Sequence, residues 1–210
     1  TVLDDRSIPT YMTLMTEPRK SDQTRQRILS TGRSLVLGVG FTGMGLKELL
    51  TASNVPKGSF YHYFASKEAF GCAMLEDYVA EYLGRLDALI ASPQSGAERL
   101  LRYCNAWLVS PDAPSISETC LVVKLASEIS DMSEDMRNIL DAGVTRLVAQ
   151  VERILREGIA DGSIMALADP AEAARLLYAQ WLGAAILSKL GRTQQPLQDA
   201  LSDTRRRFIA

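Results

Sequence analysis

Apolar residues recur at every third and fourth position through most of this chain, and the strict alternation that builds strands is nearly absent, which confines the fold to helices. With 47% of its 210 residues apolar, the chain can bury a sizeable core and is long enough for one or two domains. No apolar run approaches the ~20 residues that span a bilayer, and no charged-then-apolar segment opens the sequence. The expectation is a cytoplasmic protein with no membrane partner.

Punctuation residues divide the helices. Residues 1–20 hold Pro9 and Pro18 without periodicity and read as a mobile arm. Capping and breaking residues then predict helices over 22–39, 45–53, 57–63, 66–90, 97–109, 119–130, 134–161, 170–190 and 196–207. Ser21 or Asp22 caps the first, and Gly38 and Gly40 end it. Ser66 caps the fourth, whose length suits it to couple two parts of a molecule. The resulting division is an arm (1–20), a three-helix head (21–66) and a larger helical body (67–210).

The head carries the most specific chemistry. Leu46, Leu49 and Leu50 precede Pro56 at helical spacing, and Pro56 suits the first turn of a new short helix, so the segment reads helix, turn, helix. Such a unit lays its second helix in the DNA major groove and uses its flanks on phosphates. Lys57, Gly58 and Ser59 open that helix, where glycine permits close approach to base edges and serine donates or accepts. Tyr61, His62 and Tyr63 offer donors to flanking phosphates, as does Thr42 before the second helix, while Phe60 and Phe64 pack inward. Lys67 in a first helical turn opposes the helix dipole; either a phosphate shares its site or it is a tolerated surface lysine, partly compensated by Glu68.

Charge is distributed to match. Residues 17–70 carry eight Lys and Arg against four acids, a local +4, whereas residues 71–210 carry fourteen against nineteen, a local −5. A double-stranded DNA partner for the head and no phosphate partner for the body fit that asymmetry, although a chance fluctuation of solvated charge also produces it. Gly38-Val-Gly-Phe-Thr-Gly43 has dinucleotide-fingerprint spacing, but a helix precedes it rather than a strand, so it is a turn between helices. Three cysteines without C-x-x-C spacing and a single histidine suggest neither a disulfide framework nor a metal site. No cofactor loop or nucleophile-base pair stands outside the head, so an enzyme is not expected.

Gly40-Phe-Thr-Gly-Met-Gly-Leu-Lys-Glu-Leu-Leu50, Val55-Pro-Lys-Gly-Ser-Phe-Tyr-His-Tyr-Phe64 and Ser66-Lys-Glu-Ala-Phe70 together resemble the DNA-binding domain of TetR/AcrR-type repressors. That resemblance implies an all-α protein whose three-helix head is followed by a variable ligand-sensing and dimerisation domain. Glu118–Arg137 and Leu177–Leu190 are similar to a group within the family that releases DNA when electrophiles or oxidants modify a cysteine, and that controls detoxifying reductases. Cys120 is the matching cysteine; Cys72 and Cys104 match no motif.

Two readings of Cys120 stand side by side. Beside Leu121, Val122 and Val123 it is a small buried hydrophobe. In the first turn of a helix capped by Ser117 or Thr119, unpaired amides favour its thiolate, lower its pKa and raise its reactivity. Lys124 lies one turn on, and Lys189, in an otherwise apolar helix, is the second cation that can favour the thiolate or trap an oxidised sulfur. Tyr103, Trp107, Tyr178 and Trp181 either line a pocket for an apolar inducer bound reversibly or are plain core. The last two helices, with the small run Gly183-Ala-Ala185, suit a two-fold homodimer reading a palindromic operator, or the core of a monomer.

Overall fold

A computed structural model describes residues 20–111 and 113–209; the expected arm, Lys20 apart, lies outside them. The described elements are α1 (Lys20–Gly43), α2 (Leu46–Ser53), α3 (Lys57–Tyr63), α4 (Lys67–Ile90), α5 (Gly96–Asn105), α6 (Ile116–Thr119), α7 (Leu121–Met132), α8 (Glu134–Ala160), α9 (Pro170–Gly191) and α10 (Gln195–Phe208). Outside the helices, an isolated bridge ties Ile164 to Ile209. Among the described residues no helix is long and apolar enough to cross a membrane.

Most boundaries follow from their caps. Ser66 Oγ accepts from the Ala69 amide, Asp169 accepts from Ala171 and Glu172, and Ser95 with Glu98 forms a reciprocal capping box. Four differ from the sequence reading. The first helix is already formed at Lys20, so Ser21 and Asp22 lie within it rather than capping it. The first helix does not stop at the glycines: Gly40 sits at φ +81°, a kink that favours glycine, and the chain resumes a helical turn to Gly43. The fifth ends at Asn105 rather than Val109, with Trp107 turned into the core. The helix expected over 119–130 is two, because a capping box at Ser115 and Glu118 starts α6, and Cys120, extended at ψ 114°, breaks the chain before α7.

The head closes around Ile28, Leu29, Val36, Leu49, Phe60, Phe64 and Phe70, all buried. In the body, α8 packs on α4, α5, α7 and α9, and α10 lies against α9. Gly96 lets α5 approach α8 backbone to backbone, since a side chain there would meet the Gly158 backbone, while a side chain at Gly158 would meet Ile164 beyond the end of α8. The 24 residues of α4, about 36 Å at the usual rise, pack on α1 near one end and run along α8. Head and body therefore share one rigid element.

Candidate DNA interface and its link to Cys120

The short helix α3 displays its polar side outward. Lys57, Gly58, Tyr61 and His62 are exposed, Ser59 and Tyr63 half-buried, and nothing lies within 4 Å of where a Gly58 side chain would begin. Phe60 and Phe64 anchor the opposite side in an aromatic cluster with Phe70, their ring centroids 5.3–5.8 Å apart. Lys57 Nζ sits 6.0 Å above the Tyr61 ring. The arrangement offers a polar ridge, open to the backbone at Gly58, on a rigid base.

Lys67 and Thr42 meet at the edge of this ridge. Lys67 Nζ donates to the Thr42 carbonyl at 3.4 Å and lies 4.9 Å from the centroid of the Phe41 ring. The lysine that sequence alone leaves with a phosphate or with solvent thus already has a carbonyl and a π face. Thr42 Oγ1 reaches the Met132 sulfur at 3.7 Å.

Sequence reasoning missed the residue that connects this edge to the body. The kink at Gly40 frees the Phe41 and Thr42 amides from the helical ladder, and both donate to the Glu128 carboxylate of α7, at 3.1 and 2.5 Å. A side chain at Gly40 would begin 2.8 Å from a Glu128 oxygen, so glycine serves both the kink and the contact. Burial opposes the Glu128 charge, but the Thr42 and Phe41 donors and nearby Lys124 outweigh it and hold the carboxyl below its usual range. One turn earlier, Lys124 Nζ donates to the Gly38 carbonyl at 3.0 Å, which aims it at the head and away from Cys120. Ser133, which caps α8, also donates to Glu68 on α4.

Cys120 occupies the other end of α7. It is itself the N-cap: Sγ accepts from the Val123 amide at 3.5 Å, whereas Ser117 bonds Ser115 within α6 and the Thr119 hydroxyl donates to the Ser115 carbonyl. Tyr78 Oη donates to Sγ at 3.7 Å. The thiol is only 3% exposed, and this burial pushes its pKa up, against the pull of the Val123 amide, Tyr78 and Lys189. The expectation of a lowered pKa is thus reversed, because desolvation exceeds the cap's attraction. Burial likewise lowers the pKa of Lys189, partly restored by its attraction to Cys120. Cys104 is fully buried with its thiol pushed up to about 12, and half-buried Cys72 is raised by burial and by Asp135, Glu68 and Glu76.

The four aromatic residues proposed as pocket lining part company. Trp107 and Trp181 are wholly buried against each other, 6.1 Å between centroids, and Trp181 Nε1 donates to buried Thr204: these two are core. Tyr178 packs on Trp107 and borders a constriction with room for about 10 Å³, too small for an inducer. Tyr103 lines a larger cavity, about 360 Å³, between α4, α5 and residues 106–111 and 113–116.

A helix-turn-helix head fixed to a helical body defines a transcription regulator, and the chain belongs to the TetR family. Residues 28–70 match "Bacterial regulatory proteins, tetR family" and residues 96–203 match "Tetracyclin repressor-like, C-terminal domain". Over 180 residues the chain is 44% identical to the HTH-type transcriptional repressor NemR of Escherichia coli K12, covering 85% of this chain and 90% of that one. The crystal structure of E. coli NemR in its reduced form matches with a TM-score of 0.81 at 42% identity, over 89% of this chain and 97% of the other. The HTH-type transcriptional repressor DhaR of a Mycobacterium species is 29% identical over 179 residues, 85% of this chain and 88% of the relative.

Proposed function

We propose that the chain is a homodimeric repressor that holds a palindromic DNA operator and releases it when a reactive electrophile or oxidant modifies Cys120, so that genes for detoxifying enzymes are expressed. The observation that carries this reading is α7: Cys120 caps one end, and Glu128, two turns on, grips the amides at the edge of the DNA-binding head.

Lys57, Gly58 and Ser59 meet base edges, while Thr42, Tyr61, His62, Tyr63 and Lys67 meet phosphates. Leu176, Leu187 and Leu190 stand exposed along α9 at helical spacing with Gly183, whose side-chain direction is open, and this face receives the second copy. When Sγ adds to an electrophilic carbon, the Sγ–C bond forms and the thiol proton passes, by way of solvent or Lys189, to the product. The adduct has no room beside Tyr78, so the start of α7 moves outward. Glu128, about 12 Å along the same helix, moves with it and frees the head. A 100-fold loss of operator affinity requires about 3 kcal/mol of differential stability between the two head positions.

The test is selection of a duplex from a random library, followed by stoichiometry and electrophile titration. Two chains per palindromic site, released by N-ethylmaleimide, support the reading; selection of a single unpaired half-site, or binding indifferent to every electrophile, refutes it.

A further inference from the structure

Met132 ends α7 at the edge of the head, opposite the end that Cys120 caps. It is 43% exposed, and Thr42 Oγ1 donates to its sulfur at 3.7 Å. The two residues share an open groove of about 300 Å³ with Lys67, Glu68 and the buried Ser133 and Met136. Lys67 donates to the Thr42 carbonyl, so the sulfur and the ammonium hold the same threonine from two sides. The Glu68 carboxylate accepts from the Ser133 hydroxyl.

Among the described methionines, Met44, Met74 and Met136 are at most 1% exposed, which leaves Met132 and Met165 open to an oxidant in solvent. Met165 belongs to the body, its amide bonded to the Phe208 carbonyl of α10. The three thiols compete poorly: burial raises the pKa of each, so little thiolate is present near neutrality. A thioether has no proton to lose, and its lone pair is available at any pH.

We propose that Met132 is a second oxidation site, at which a peroxide forms the sulfoxide and thereby weakens the hold of the head on DNA. The Sδ lone pair attacks one peroxide oxygen; the S–O bond forms, the O–O bond breaks, and the departing hydroxide takes the remaining proton as water. Sulfur loses two electrons and the peroxide gains them. A thioether is a weak acceptor, which leaves the Thr42 hydroxyl free to turn to a phosphate. The sulfoxide oxygen is a strong one: it keeps that hydroxyl and sets a negative dipole end in the groove that competes with phosphate for Lys67. The inference rests on the phosphate roles proposed above for Thr42 and Lys67, and not on Cys120.

The test treats the full chain carrying Cys72→Ala and Cys120→Ser with hydrogen peroxide, removes the oxidant with catalase, and reads operator anisotropy across a salt series. Peptide mass spectrometry locates the added oxygen. Oxidation of Met132 weakens operator binding roughly tenfold and lowers the salt slope by about 1, and methionine sulfoxide reductase restores both. In the same background Met132→Leu binds alike before and after peroxide, and Met165→Leu responds as its parent does. Met132→Gln, a fixed amide acceptor at the same place, binds weakly with no oxidant. Circular dichroism checks that each variant is folded. The inference is overturned by unchanged affinity once Met132 carries the oxygen, by a loss that persists in Met132→Leu, or by a loss with an unchanged salt slope. Lys67→Ala before oxidation reads the phosphate role by itself: an unchanged slope there removes the premise and the inference with it. A slope lowered there, beside an oxidised parent that binds as before, overturns the inference alone.

Discussion

Replacing Glu128 should uncouple the head from the body while leaving both folded. Its carboxylate receives two backbone donors, Phe41 N and Thr42 N, and Phe41 is only 4% exposed. Each hydrogen bond to a charged group contributes roughly 1.5–3 kcal/mol when well shielded. Glu128 is half-buried, so solvent screening reduces the pair to about 2 kcal/mol together. Apparent operator affinity scales with the fraction of heads held in the competent position, so Glu128→Ala lowers it by up to about 30-fold. Glu128→Gln keeps one acceptor and turns an amide towards the second donor, and should fall between. The assay is fluorescence anisotropy on the selected duplex, with amide exchange at Phe41 and Thr42 as a local readout. A coupling role also predicts non-additivity: alkylating Glu128→Ala adds little to its existing loss, because the contact that alkylation breaks is already absent. Operator affinity within twofold of wild type in a folded Glu128→Ala protein refutes this reasoning. So does a full further loss on alkylation.

The depressed Glu128 pKa stabilises the folded state above the carboxyl's unfolded value and is lost as pH falls through the folded one. The Tm advantage of wild type over Glu128→Gln is accordingly full at pH 7 and shrinks below pH 4.5; an advantage that grows in acid contradicts the assignment. Cys120 stays largely protonated near neutrality, so its alkylation rate climbs with pH and is still rising at pH 9; a plateau below pH 8 means a preformed thiolate. Tyr78→Phe removes a donor that favours the thiolate and slows alkylation roughly fivefold, read by intact-mass kinetics, whereas faster reaction would show that the hydroxyl shields the sulfur. Lys67→Ala weakens binding to all duplexes and reduces the salt slope by about 1, while Lys57 and Ser59 changes alter base preference; a base preference changed by Lys67→Ala contradicts that division.

Where information is local, the sequence was sufficient. Residues 57–63 form a helix because Pro56 starts it and the extended Phe64 stops it, and Ser66 caps α4 through a bond to a neighbour three residues away. The head motif is similarly compact in sequence, and so was the TetR resemblance it carries. The split at Cys120 was less visible, because Ser115 and Ser117 compete with Thr119 as caps and the sulfur is an unusual one. Burial decided the rest. The position that gives Cys120 amide donors also removes it from water, and no spacing rule weighs those two effects. Lys124 and Glu128 stand four residues apart, the spacing of an ordinary surface pair on a helix, so nothing in the sequence points either at the head. Their partners, Gly38 and the Phe41 and Thr42 amides, lie 86–87 residues upstream, and only the packing of α7 on α1 brings them together.

The most direct test is operator anisotropy during stoichiometric titration with N-ethylmaleimide, run on wild type, Cys120→Ser and Cys72→Ala. Cys72 is the more exposed thiol, so its variant separates labelling from switching. Release by wild type and Cys72→Ala, with Cys120→Ser remaining bound, is the predicted result. Release of Cys120→Ser at the same dose as wild type would contradict the central claim, and place the switch away from the cap of α7.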